Sequence, residues 1–188
     1  MSTESHYFIA IPLPESVQRF FSTWQDELEG ELPYKQWTQQ ADLHITLKFL
    51  GAVDDNKRKQ IDQALQSMRE FEAFTLHVGT IGTFGKPSMP RVLWAGVEKT
   101  PLLTTLQEQV KIRLENIGYS AEKRAYVPHI TLAKKWQGKA AEDLLENIIK
   151  HYTAQKEILV DTIVLYQIHP TSVPKYEPVC TYRLQGGE

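Results

Sequence analysis

Leu43-His44-Ile45-Thr46-Leu47-Lys48-Phe49-Leu50-Gly51 carries a tetrapeptide, His-Ile-Thr-Leu, that returns at His129-Ile130-Thr131-Leu132. Successive side chains of an extended strand point to opposite faces. Strict alternation therefore sets His44, Thr46 and Lys48 on one face, with Ile45, Leu47 and Phe49 on the other. The second copy repeats the phase, with His129 and Thr131 together and Lys134 on the far face. Each copy offers an imidazole and a hydroxyl on a strand whose reverse side is apolar enough to be anchored in a core.

Outward from the first copy, Tyr7 to Ile11 is a continuous apolar run that predicts a buried strand, ended by Pro12 and Pro14. Val17, Phe20, Phe21, Trp24 and Leu28 recur at helical spacing, with Gly30 as a stop. Lys35 to Thr38 predicts a short strand. Asp54 or Asp55 caps a helix carrying Ile61, Leu65 and Met68. Phe74 to Val78 alternates as a strand. The stretch from Gly79 to Pro90, with Gly82, Gly85 and Pro87, predicts a long loop or twisted edge. Arg91 to Val97 is a further strand, and Thr100-Pro101 opens a helix that stops at Gly118.

Beyond the second copy, Leu144, Leu145, Ile148 and Ile149 mark a fourth helix. Glu157 to Ile168 predicts one β-branched strand and Pro178 to Leu184 a last one, with Gly186 to Glu188 as a frayed end. Strands and helices alternate, but with several strand-strand neighbours, so the class is α+β with mostly antiparallel sheet. The two copies are offset by 85 positions, 44 to 129 and 46 to 131, and the elements around them are alike in kind. Two related lobes facing each other, rather than a solenoid, follow from a repeat that occurs twice.

The 188 residues can bury a core without covalent staples. Twenty-one Lys and Arg against 23 Asp and Glu give a net charge of -2, which argues against a basic groove along nucleic acid and bounds any RNA contact to an end or a single phosphate. Cys180 is the sole cysteine, which leaves no internal disulfide and no cysteine-cluster metal site. The polar start from Met1 to His6 and the absence of a long apolar run predict a cytoplasmic chain without a membrane span.

Two imidazoles across one cleft can divide acid and base work, since an unperturbed imidazole titrates near pH 6.5. One takes a proton from water and the other gives one to a leaving oxygen, as in-line displacement at phosphorus requires. Thr46 and Thr131 would donate hydrogen bonds to the non-bridging oxygens. A strained cyclic phosphodiester suits such a site, with no cofactor and no metal.

Paired H-x-T-L motifs at this spacing resemble the two-histidine (2H) phosphoesterases. Within them the chain is similar to the bacterial RNA 2',3'-cyclic phosphodiesterases, the ThpR or LigT-like group formerly called 2'-5' RNA ligases. Phe8-Ile9-Ala10-Ile11-Pro12, Pro90-Arg91-Val92-Leu93-Trp94 and Pro128-His129-Ile130-Thr131-Leu132-Ala133 carry the likeness across nearly the whole chain. The resemblance implies one bilobal domain over residues 1–188, with two mostly antiparallel sheets about a pseudo-two-fold cleft and helices outside. It implies hydrolysis of a terminal 2',3'-cyclic phosphate to a 2'-phosphomonoester, with His44 as proton donor and His129 as acceptor. The group often has arginine after Thr-Leu-Ala, where this chain has Lys134. Lys48 and Lys134 are further candidates for phosphate contact.

The expected partner is RNA ending in a 2',3'-cyclic phosphate, and the expected state a monomer. Other readings are a non-catalytic RNA-end or nucleotide-binding module, 2'-5' ligation by reversal, and a metallohydrolase built on Asp42, His44 and His129. Phe84, Trp94 and Tyr126 are aromatic enough to stack a base, though Trp94 sits in an apolar run that suits core packing. Arg91, Lys123, Arg124 and Lys135 read as solvated charges. His6, His77, His151 and His169 lack a partner motif.

Overall fold

A computed structural model describes residues 4–187. Its strands are β1 (Ser5–Pro12), β2 (Tyr34–Trp37), β3 (His44–Val53), β4 (Phe74–Lys86), β5 (Met89–Val97), β6 (His129–Trp136), β7 (Gln155–Val160), β8 (Thr162–Ile168) and β9 (Tyr176–Arg183). The α-helices are α1 (Glu15–Glu29), α2 (Asp55–Leu65), α3 (Pro101–Glu115) and α4 (Glu142–His151). The expected α+β class holds, and every named strand pairing is antiparallel.

One sheet has the order β3-β1-β8-β9 and the other β2-β6-β5-β4-β7. Without β2, the second is β6-β5-β4-β7, so the two histidine strands β3 and β6 hold equivalent places and contact each other between the sheets. The helices brace this arrangement crosswise. α1 leads toward β3 yet packs on β2 and β6, whereas α3 leads into β6 yet packs on β3. Ile45, Leu47, Ile130 and Leu132, each at most 2 % exposed, anchor the two strands in one apolar cluster. Burial of each such side chain stabilises by roughly 1.5–3 kcal/mol.

Caps fall where the chemistry asks for them. The Asp54 carboxylate accepts the Lys57 amide at 2.7 Å, and the Thr100 hydroxyl accepts the Leu103 amide at 3.1 Å. Three expectations are corrected. Gly79 to Lys86 is not a loop: it continues β4 into a hairpin with β5, kinked by irregular register at Gly79–Ile81 and Phe84–Gly85. Gly82 is what lets that strand lie on the Trp94 ring, because a Cβ there would collide with the indole.

The predicted strand over 157–168 is two strands in different sheets. β7 joins β4 and β8 joins β1, the chain leaving one sheet for the other at Asp161. Nor does the chain fray directly at Gly186: Gln185 before it is paired with Phe71 and Ala73, and the Gly187 amide after it donates to the Leu184 carbonyl at 3.3 Å. Glu188 lies outside the described residues.

Candidate active site

The two repeats are wired alike. His44 Nδ1 lies 2.6 Å from the carbonyl of Asp42, and His129 Nδ1 lies 2.8 Å from the carbonyl of Val127, each two residues upstream. A carbonyl only accepts, so both rings carry their proton on Nδ1 and direct Nε2 elsewhere. A 3-10 turn at Gln40–Asp42 brings the Asp42 carbonyl under His44. Both rings, with Thr46 and Thr131, line one cavity of about 450 Å³. The four repeat residues singled out by sequence thus meet in a single place.

The copies differ in what surrounds them. His44 is packed by Phe8 at 4.8 Å and Tyr176 at 5.3 Å between ring centroids, with Tyr166 behind. The Thr46 hydroxyl, 3.0 Å from His44 Nε2, donates to it. Burial pushes the His44 pKa down to about 4, against an opposing pull from Asp42 and with help from His129 and Lys134. His44 is therefore neutral at pH 7. His129 meets Phe84 edge-on at 4.9 Å, and among the described residues its Nε2 has no hydrogen-bond partner.

The two lysine candidates exchange places. Lys48 is 6 % exposed and points away from the cavity, its ammonium 2.9 Å from the Glu122 carboxylate and 3.4 Å from the Ser120 carbonyl. Lys134 lines the cavity with both histidines. A β-bulge in each copy is the cause. Between β1 and β3 the register steps from Lys48 to Thr46, skipping Leu47, and between β5 and β6 it steps from Ala133 to Thr131, skipping Leu132.

One extra residue reverses the facing of everything after it. Leu47 and Lys48 are consequently both buried, as are Leu132 and Ala133. Phe49 and Lys134, again 85 positions apart, emerge on the histidine side. Phe49 is not a core residue as alternation predicts: it is 57 % exposed and stacks at 6.4 Å on His6.

Other candidates separate in the same way. The Tyr126 hydroxyl donates to the Thr46 carbonyl at 2.9 Å, and burial raises its pKa, so it braces β3 rather than facing a ligand. Trp94 is half-buried against Gly82 and Phe84 and lines a different hollow. Asp42, 3 % exposed, spends its carboxylate on the amides of Lys175 and Tyr176, at 2.9 and 3.1 Å. Its carbonyl, not its carboxylate, faces His44, so Asp42 does not join the two rings as a third ligand.

Sequence reasoning missed Lys35 and Trp37 on β2, and Lys175 and Tyr176 at the β8–β9 connection, all of which line the cavity. The pairing of Trp37 with Ala133 and of Gln36 with Lys134 sets β2 beside the second repeat, a neighbour no local pattern reveals. Among the described residues no helix is long and apolar enough to cross a membrane, and no group of three His, Cys, Asp or Glu side chains is arranged to hold a metal.

Two antiparallel sheets that each present a His-x-Thr strand to a shared cleft define the two-histidine phosphoesterase class. Residues 13–171 match the family model of the 2'-5' RNA ligase superfamily, and the chain belongs to that family. It is 34% identical over 181 residues to the RNA 2',3'-cyclic phosphodiesterase of Bacillus subtilis, covering 95% of this chain and 96% of that protein. It is likewise 34% identical over 184 residues to the protein of that name from Geobacillus stearothermophilus, covering 97% of this chain but 58% of the relative's length.

Solved structures bear out the fold. E. coli LigT complexed with 3'-AMP aligns with a TM-score of 0.80 at 23% identity, over 97% of this chain and 99% of that one. TT0787 of Thermus thermophilus aligns with a TM-score of 0.77 at 20% identity, over 97% and 100%.

Proposed function

We propose that this chain is an RNA 2',3'-cyclic phosphodiesterase that opens a terminal 2',3'-cyclic phosphate to a 2'-phosphomonoester. Convergence of two Nδ1-protonated imidazoles and two threonines on one cavity carries the reading. The curated relatives of matching length bear that activity in their names. The working unit is a single bilobal domain over residues 1–188, acting as a monomer in the cytoplasm on RNA ends.

In this scheme His129 Nε2, left with a lone pair once Nδ1 donates to the Val127 carbonyl, takes a proton from the attacking water. His44 gives its proton to the departing 3'-oxygen on the opposite side of phosphorus. His44 is neutral in the free protein, so it must be loaded with a proton as substrate enters. An anionic phosphate next to the ring raises its pKa and supplies the driving force. The Thr46 hydroxyl, which holds His44 Nε2 in the free protein, turns with Thr131 to the non-bridging oxygens, where charge grows. Lys134 completes the anion site from the same face.

The deciding experiment is incubation with an oligoribonucleotide ending in 2',3'-cyclic phosphate, before and after exhaustive EDTA treatment, with the product isomer resolved. A 2'-phosphate formed at equal rate in both is expected. A 3'-phosphate would exchange the leaving oxygen and overturn the roles of the histidines. Activity abolished by EDTA would overturn the metal-free scheme.

A further inference from the structure

A second hollow of about 350 Å³ adjoins the cleft, and its lining shares His44, Thr46, Lys134, Lys175 and Tyr176 with the larger cavity. Those five residues form the junction between the two spaces. Two of them are lysines, and among the described residues neither ammonium has a carboxylate partner. Burial, then the positive charges of Lys175 and Lys135, lower the Lys134 pKa. Two unpaired like charges held side by side cost free energy unless an anion comes between them.

The placement of Lys175 is built into the fold. The buried Asp42 carboxylate accepts the backbone amides of Lys175 and Tyr176 at 2.9 and 3.1 Å, fixing the start of β9 against the turn below His44. Asp42 binds the main chain of Lys175 and leaves its ammonium free. One residue therefore orients the His44 ring through its carbonyl and fixes the Lys175 backbone through its carboxylate.

We propose that Lys175 is a phosphate-binding residue of the cleft, contributing beside Lys134 a second cation that the repeated motifs do not encode. This rests on the phosphodiesterase reading for its substrate, and on the geometry of the junction for its site. The phosphate is either the reacting cyclic diester or the next one along the RNA chain, and both present the same anionic oxygens to an ammonium.

The test compares wild type, Lys175→Met and Lys175→Arg on a nucleoside 2',3'-cyclic phosphate and on a dinucleotide ending in 2',3'-cyclic phosphate. Inorganic phosphate binding is followed by calorimetry on the same three proteins. Loss of one charge-assisted hydrogen bond should raise KM about tenfold in the methionine variant, with most of the loss restored by arginine. A rise on both substrates assigns Lys175 to the reacting phosphate, and a rise on the dinucleotide alone assigns it to the neighbouring one. Unchanged KM on both overturns the proposal. If wild type turns over neither substrate, the phosphodiesterase reading fails, and the phosphate titration then decides Lys175: weaker binding in Lys175→Met supports it and equal binding overturns it.

Discussion

The Lys48 ammonium lies 2.9 Å from the Glu122 carboxylate, across 74 positions of sequence. Strand alternation would have sent this lysine into the cleft. Instead it ties β3 to the irregular segment leading into β6, alongside the Tyr126 hydroxyl on the Thr46 carbonyl. The segment before the second histidine is thereby fastened to the strand of the first.

Lys48 should accordingly behave as a structural residue. Lys48→Met is expected to lower stability by about 1–3 kcal/mol, since the ammonium is buried while the Glu122 side chain, 43 % exposed, can regain water. KM should stay within about twofold of wild type, given that truncating a true charge-assisted phosphate contact costs tenfold or more. Urea unfolding and steady-state kinetics separate the two. A large rise in KM with unchanged stability would return Lys48 to the substrate.

His44→Ala and His129→Ala should each reduce turnover by about a hundredfold or more, the scale of general acid-base groups, with folding retained. The two differ on an aryl diester whose nitrophenolate leaves without protonation. His44→Ala should recover most of its activity there and His129→Ala should not. Recovery in the opposite variant would reverse acid and base.

Stability should depend on pH through His44. Its folded pKa of about 4 lies below the ordinary 6.5, so the unfolded chain takes up a proton first as pH falls. Stability then declines as pH drops from about 6.5 toward 4, by at most roughly 1.4 kcal/mol for each pH step of one, and this contribution levels off below. His44→Gln should flatten that slope in urea titrations taken across the window. An unaltered slope would mean that His44 is charged and solvated in the folded protein.

Thr46→Val and Thr131→Val remove a hydroxyl while keeping the strand-forming shape. Each should lower kcat about ten- to a hundredfold, the worth of a hydrogen bond to developing charge. Thr46→Val also deprives neutral His44 of its donor. The acidic limb of its kcat/KM profile should therefore move to higher pH, while that of Thr131→Val stays in place. Identical profiles would show that the Thr46 hydroxyl does not hold the ring.

Much of this site was legible in the chain itself. The repeat at 44 and 129 named both rings and both hydroxyls, and the apolar residues between them predicted which sides would be buried. Ile45, Leu47, Ile130 and Leu132 lie where a period of two puts them, because hydrophobic pattern and local backbone are properties of the segment alone.

The bulges after Leu47 and Leu132 were decided by tertiary structure. A bulge belongs to a pair of strands, and the partners that create these, β1 and β5, are not implied by the residues that bulge. That single difference moved Lys48 inward and Lys134 outward. The same holds for Trp37, Lys175 and Tyr176, which reach the cleft from β2, the β8–β9 connection and the start of β9, and for the break at Asp161 that sends β7 and β8 to different sheets. Sequence by itself determined which repeated side chains share one face of each strand and so line one cavity. Only the pairing of distant strands decided which cations stand beside them, since facing and adjacency in a sheet are set by register between segments and not by composition within one.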